Sequence, residues 1–140
     1  LAAEMLGMSE KLFDMTLEYL KTRVQFDVPI GSFQSLQHRA AQLYVELSLA
    51  RSAVMAALAA LDDPALSEVE RQRLASLAKW KTGAMAIRVA NESVQMHGGI
   101  GVTDELDVGL FLKRIRVAQA CLGDADFHCE RYATLECAHV

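Results

Sequence analysis

At 140 residues the chain is long enough to bury a core of its own, and it reads as one domain over 1–140. Apolar residues make up 52% and aromatics only 6%, with Ala, Leu and Met prominent, a helix-bundle composition poor in the residues that strands favour. A net charge of −4 argues against a nucleic-acid partner, which needs concentrated Lys and Arg.

Leu1, Met5, Met8, Leu12, Met15 and Tyr19 step by four and three, one face of a helix. Leu6, Phe13, Leu17 and Leu20 form a second stripe, so this first helix is expected to be buried on two sides. It begins at Leu1 in mid-pattern and without a methionine, as if cut from a longer protein. Pro29 and Gly31 end it near Arg23-Val24-Gln25-Phe26, and Ser32 offers an N-cap for the next helix. There Phe33, Leu36, Ala40, Leu43, Leu47, Ala50, Val54 and Leu61 share a stripe. A helix from Ser32 to Leu61 is about 45 Å long. Asp62-Asp63-Pro64 stops it. Ser67-x-x-Glu70 reads as a capping box opening a third helix, with Leu74, Leu77, Trp80, Ala84, Ile87, Asn91 and Val94 on its stripe. Thr103-Asp104-Glu105 supplies the start of a fourth, striped by Phe111, Ile115, Ala118, Leu122, Ala125, Cys129 and Tyr132. Four long helices with short connections predict an all-α, antiparallel up-down four-helix bundle.

Cys121, Cys129 and Cys137 are odd in number and spaced eight apart, which argues against a disulfide framework and for a reducing cytoplasm. No apolar run approaches the roughly 20 residues of a membrane span, so no membrane partner is expected; a signal peptide is not expected either. His38, His97, His128 and His139 fall on separate segments, and His128 and Cys129 point to different faces, so no metal site is expected. The cysteines near the fourth stripe read as small core residues and Asp62-Asp63 as a solvated turn. Between the third and fourth helices lies Gln95-Met96-His97-Gly98-Gly99-Ile100-Gly101-Val102. Three glycines in four residues cannot continue a helix. Taken locally they read as a glycine C-cap and turn; they also leave bare backbone that a flat ligand can approach. The stretch lacks the Lys-Ser/Thr of a phosphate loop.

A second stretch changes the weight of the first. Arg23-x-x-Phe26, Pro29-Ile30 and Gln34, followed by Gln95-x-x-Gly98-Gly99-x-Gly101, resemble two motifs of the acyl-CoA dehydrogenase C-terminal domain, in order and at the right separation. The resemblance spans essentially the whole chain. It implies an FAD-dependent dehydrogenation of an acyl-CoA thioester at Cα and Cβ, as in fatty acid metabolism, with an electron-transfer flavoprotein as acceptor. It implies that Arg23 reaches the FAD pyrophosphate, as suits a delocalised, always-charged fork. Phe26 and Gln34 match further contacts to the dinucleotide, and Gln95, Met96, His97, Gly98 and Gly99 match the corner along its adenosine-diphosphate half. In the family the flavin is held mainly by the neighbouring subunit, so a homodimer or homotetramer, or a heteromer with a second acyl-CoA dehydrogenase subunit, is implied.

Two positions depart from the pattern. Asp27 stands where the family has glycine, a carboxylate that repels a pyrophosphate unless it points away or pairs with Arg23. Leu122 stands in the place of the catalytic glutamate of a Glu-Gly-Thr triplet, and leucine cannot take a proton. Asp124, or less directly Asp126, is the nearby carboxylate; an upstream or partner-subunit carboxylate is the other source. The run Leu122 to His128 resembles the branch that includes the pimeloyl-CoA dehydrogenase small subunits. Three readings follow: a dehydrogenase of which this is the C-terminal bundle and which is inactive as an isolated piece, a non-catalytic FAD-binding or scaffolding subunit, or a helix bundle without ligand.

Overall fold

The computed structural model describes residues 1–137, helical throughout apart from short turns and one small hairpin. Helices α1 (Ala2–Thr22), α2 (Gln34–Asp62), α3 (Glu68–His97), α4 (Val108–Ala120) and α5 (Ala125–Cys137) follow in chain order, with strands β1 (Val24–Gln25) and β2 (Val28–Pro29) between α1 and α2. α1 and α3 run parallel, since Tyr19 near the end of α1 stacks on His97 at the end of α3. α2 runs against both: Arg51 pairs with Glu10 and Arg39 with Glu92. α4 and α5 lie end to end along α3, and Gly83 faces Gln119 of one and Ala125 of the other. The expected up-down-up-down bundle forms, its fourth layer built in two pieces.

The helices start and stop largely for local reasons. Ser67 and Glu70 make the expected capping box, each side chain accepting the other's backbone N–H at 3.2 Å. α1 buries both expected stripes, with Met5, Leu6, Leu12, Phe13 and Leu20 all in the core. The start of α2 is corrected by one residue. Phe33 is its N-cap, because Ser32 sits in a 3₁₀ turn over Ile30–Ser32 and donates its hydroxyl to the Pro29 carbonyl at 2.7 Å. That turn presses Gly31 against α1; a Cβ there would lie 2.8 Å from the Leu20 carbonyl oxygen. The start of α4 is also later than expected. The hydroxyl of Thr103 bonds back to the Ile100 carbonyl at 2.8 Å, so the glycine stretch closes on itself as a 3₁₀ turn (Gly98–Val102) and helix resumes only at Val108.

The third stripe is the largest correction. Ala84 and Asn91 are exposed, while the buried face of α3 carries Ala78, Thr82, Met85, Ala86, Val89, Ala90 and Ser93. α3 is the axis on which all other helices pack, and close approach from several sides needs small side chains, not the largest apolar ones. The hydroxyls that come inside mostly have partners: Thr82 donates to the Ala78 carbonyl at 2.6 Å, Ser9 to Met5 at 2.7 Å and Thr16 to Leu12 at 2.8 Å. α2 brings a further correction. An 18-residue window of it has a mean hydropathy of 1.4, long and apolar enough by those measures to cross a membrane. Its interspersed charges hid this in the sequence. One face packs in the bundle, and Val45, Leu49, Met55, Leu58 and Leu61 lie open on the other.

The fourth stripe holds through Ile115 and Ala118 and is lost at Leu122, which is 82% exposed. The chain breaks there because Leu122 (φ 60°) and Gly123 (φ 97°) both take the left-handed region. Asp124 restarts helix by accepting the Phe127 N–H at 2.9 Å, and Arg131 ties α5 to α3 through the Gln72 side chain and the Ser76 hydroxyl. His128 lies 2.9 Å from the Leu122 carbonyl through Nε2, so that nitrogen carries the proton. Nδ1 is left buried and, among the described residues, unpartnered. Burial pushes the His128 pKa below its ordinary 6.5; the Leu122 carbonyl and Asp124 oppose this, and Lys79 and Arg131 add to it. The unfolded chain therefore binds this proton before the folded one does as pH falls. The contribution is fully present above pH 6.5 and is lost as pH drops through the lower folded value. Between pH 7.5 and 5 the thermal midpoint should fall less in His128→Gln, which keeps a donor but cannot titrate. Equal falls in both proteins would separate His128 from the stability of the break.

Candidate functional site

Because α1 and α3 are parallel and α2 is antiparallel to them, the ends of α1 and α3 and the start of α2 meet at one end of the bundle. Arg23 is the C-cap of α1 in extended backbone, its N–H on the Tyr19 carbonyl at 2.9 Å and its own carbonyl accepting from Ile30 at 2.8 Å. Beyond it the chain turns back as a hairpin, Val24 opposite Pro29 and Gln25 opposite Val28. The two turn residues, Phe26 (φ 53°) and Asp27 (φ 64°), have the positive φ pair of a type I′ turn. Aspartate tolerates this conformation better than most residues, which accounts locally for its standing where glycine is usual. Asp27 is exposed, and among the described residues no ion pair joins it to Arg23. The Arg23 guanidinium is exposed and has no carboxylate within ion-pair distance among the described residues. Phe26 is 84% exposed, with Phe33 set edge-on 6.2 Å away. Gln34 is the exposed first residue of α2.

The glycine corner divides into two halves. Met96 and His97 point inward, each 5% exposed. His97 donates from Nδ1 to the Ser93 carbonyl at 2.8 Å, and its ring stacks on Tyr19 with centroids 4.4 Å apart. These two side chains brace the corner against α1. Gln95, Gly98 and Gly99 stay on the outside. Gly98 (φ 66°) caps α3, its N–H reaching the carbonyls of Val94 and Gln95. Gly99 has ordinary backbone, and a Cβ on it would meet nothing within 4 Å. The packing of this chain does not require glycine there, and the missing side chain leaves its backbone open to approach. A groove of about 390 Å³ runs beside the corner, lined by Tyr19, Thr22, His97 and Leu106 and, further along α1, by Lys11 and the carboxylates of Asp14 and Glu18.

This end is a fit for a dinucleotide phosphate: an unpaired guanidinium, two exposed carboxamides at Gln34 and Gln95, an exposed aromatic at Phe26, and bare backbone at Gly98 and Gly99. The resemblance named these residues and the structure brings them to one end of the bundle; the hairpin and the Tyr19–His97 brace were missed. The Phe26-Asp27 pair carried no ordinary turn signal, and a stacking contact between two helices leaves none.

The second candidate region is the break between α4 and α5. It lies beside the Lys79–Gly83 stretch of α3, about 25 Å along the helix from the glycine corner. Leu122 faces out, and the Asp124 carboxylate is engaged as the cap of α5. Phe127 lies over Gly123, where a Cβ would come within 2.3 Å of its ring. Burial lowers the Lys79 pKa, with the charges of Cys121 and Asp124 raising it again. Cys121, Cys129 and Cys137 are free, and among the described residues no three His, Cys, Asp or Glu side chains converge. His139 lies outside the described residues.

Residues 1–134 match the family model described as acyl-CoA dehydrogenase, C-terminal domain. Acyl-CoA dehydrogenase IpdE2 of Mycobacterium tuberculosis is 44% identical over 114 residues, 81% of this chain and 33% of that protein. Its namesake in Mycolicibacterium smegmatis is 39% identical over 123 residues, 88% and 37% of the two chains. The ChsE4-ChsE5 complex from Mycobacterium tuberculosis superimposes with a TM-score of 0.91 at 29% identity, covering 99% of this chain and 36% of the other. The chain thus spans about a third of the length of the curated relatives it matches. With the bundle, the two motifs and the family match in agreement, the chain belongs to the acyl-CoA dehydrogenase family, a flavin-dependent oxidoreductase family, and corresponds to its C-terminal domain.

Proposed function

We propose that this chain acts as the C-terminal bundle of a longer FAD-dependent acyl-CoA dehydrogenase, contacting the dinucleotide at one end and a second subunit along its side. The observation that carries the reading is the meeting at one end of the bundle of the exposed Arg23 guanidinium, without an ion-pair partner among the described residues, with the exposed backbone of Gly98 and Gly99. Bound FAD supplies the acceptor for the β-hydrogen. Arg23 contributes a phosphate clamp, and Gln34 and Gln95 offer neutral donors and acceptors that add no charge. Phe26 presents a flat apolar face. Met96 and His97 serve by holding the corner rigid.

An acceptor for the α-proton must sit within hydrogen-bond reach of it. Leu122 has none to offer, and Asp124 is committed to the Phe127 N–H. The reading therefore assigns the base to a carboxylate outside this chain, upstream in the same polypeptide or on a partner subunit. The second reading, a non-catalytic subunit that completes a partner's site, is favoured by this same leucine and by the likeness to one half of a two-component complex. The outward apolar face of α2, where Leu49 is 62% and Met55 61% exposed, supports subunit association, as a homo- or heteromer. An electron-transfer flavoprotein is the proposed electron acceptor, and the free cysteines suit a reducing cytoplasm.

In the full-length enzyme, Arg23→Ala should weaken FAD by about 1.5–3 kcal/mol, the size of a charge-assisted hydrogen bond. Flavin absorbance retained on dialysis reads this directly, and unchanged retention takes Arg23 out of the site. Sedimentation of the full-length protein at micromolar concentration should give a dimer or larger; a clean monomer counts against the α2 interface. Rapid mixing with an acyl-CoA that the enzyme binds should still bleach the flavin in Asp124→Asn. Lost bleaching with FAD and ligand still bound makes Asp124 the base, whereas bleaching that needs a second polypeptide makes this chain the non-catalytic half.

A further inference from the structure

The candidate dinucleotide end is built in two pieces. The hairpin that carries Arg23 leaves from α1, and the turn that carries Gly98 and Gly99 leaves from α3. Among the described residues no hydrogen bond or ion pair runs from residues 23–32 to residues 95–103. Both pieces rest instead on the last turn of α1, and Tyr19 is the residue that meets both. Its carbonyl accepts the Arg23 N–H at 2.9 Å, which sets where the arginine leaves the helix. Its ring lies on the His97 ring, with centroids 4.4 Å and planes 28° apart. Leu20 completes the seat, because the return of the hairpin presses Gly31 against its carbonyl.

His97 passes that contact on to the glycines. It is the last residue of α3, directly before Gly98. Its Nδ1 donates to the Ser93 carbonyl at 2.8 Å, so its own helix holds the ring by an edge while Tyr19 holds it by a face. The glycine turn then closes over it: a Cβ on Gly101 would lie 2.9 Å from the His97 Cβ. A displacement of His97 therefore displaces the turn. Tyr19 uses its ring in this contact, and among the described residues its hydroxyl makes no hydrogen bond.

We propose that Tyr19 is a positioning residue for the FAD dinucleotide, its carbonyl and its ring together holding Arg23 and the Gly98-Gly99 backbone at one spacing so that a single ligand meets both. This rests on the reading of the chain as part of an FAD-dependent acyl-CoA dehydrogenase. It adds a residue that acts on the cofactor without touching it. A spacing set before the ligand arrives raises affinity by cutting the cost of ordering the site. The arrangement has a signature. Where the Arg23 guanidinium is gone, the spacing has less to act on, and loss of the Tyr19 ring must then cost less.

The test titrates FAD into the full-length apoenzyme, without acyl-CoA, and takes the dissociation constant from quenching of flavin fluorescence. Tyr19→Leu should raise that constant by about tenfold, near the upper range for one aromatic pair. Tyr19→Phe keeps the ring and should stay within about twofold of wild type. In an Arg23→Ala background the same Tyr19→Leu change should cost less than about threefold. In the apoenzyme Tyr19→Leu should also speed amide exchange at residues 97–103 and leave exchange in α5 as it was. His97→Asn keeps a donor for the Ser93 carbonyl but lacks the ring, and should repeat the loss from the other side of the stack. It decides the matter if Tyr19→Leu fails to fold. The idea is overturned if Tyr19→Leu lowers the thermal midpoint with the FAD constant unchanged, or if its effect multiplies in full with that of Arg23→Ala. It is equally overturned if Tyr19→Phe loses as much as Tyr19→Leu, which makes the hydroxyl itself a ligand contact. If wild type takes up no FAD, or Arg23→Ala binds it as wild type does, the cofactor reading fails first, and this inference falls with it.

Discussion

The structure depends on one steric requirement, that α3 be approached closely from several sides at once. A helix with one neighbour can meet it with Leu and Ile, but a helix surrounded on most of its girth must be thin. Ala78, Ala86, Val89 and Ala90 on its buried face are 0–2% exposed, and Thr82 and Ser93 are fully buried among them. The inward hydroxyls cost little where they turn back on their own helix, as Thr82 does on the Ala78 carbonyl. The larger side chains come from the surrounding helices, Leu12 and Phe13 from α1, Leu43 and Leu47 from α2, Ile115 from α4. Size is thus distributed largely radially, small along most of the axis and large around it, with Met85 and Met96 the larger apolar exceptions on α3.

The candidate dinucleotide end follows from that arrangement. Once α1 and α3 lie parallel against each other, their C-terminal ends leave the bundle side by side, and the Tyr19–His97 stack fixes their relative height. The chain must turn sharply at both ends, and it does so with positive φ at Phe26, Asp27 and Gly98. Sharp turns leave exposed backbone and outward side chains, which is the material of a binding surface. Arg23, without a carboxylate partner among the described residues, makes that surface positive at one point.

The break at Leu122 has a different origin. α4 and α5 follow the same helix axis of α3, yet a continuous helix would keep residue 122 on the buried stripe. Two left-handed residues turn it out, and Lys79 and His128 secure the carbonyls that this exposes. A buried ammonium is expensive to desolvate, and the carbonyls at the end of α4 partly offset that cost because the helix dipole favours a cation there. The polar network and the strained turn therefore require each other.

The sequence by itself determined the helical class, the two-sided burial of α1, the capping box at Ser67 and the interruption at the glycine stretch. Each of these is carried by local spacing: a period near 3.6, a short cap motif, or glycines where no helix can run. Only the tertiary structure decided which face of α3 is inside, because the large residues Trp80, Ile87 and Val94 gave the stronger periodic signal while the axis of the bundle selected the small ones. Only the tertiary structure split the fourth helix, since Leu122 continues an apolar stripe perfectly well until a lysine 43 positions earlier holds the carbonyl of its neighbour Gly123. Likewise Met96 and His97 read as members of an open corner and turned inward, because the stacking partner of His97 is on another helix. Periodicity reports what a segment can bury; which neighbours it meets, and therefore what it does bury, depends on contacts between residues far apart in the chain.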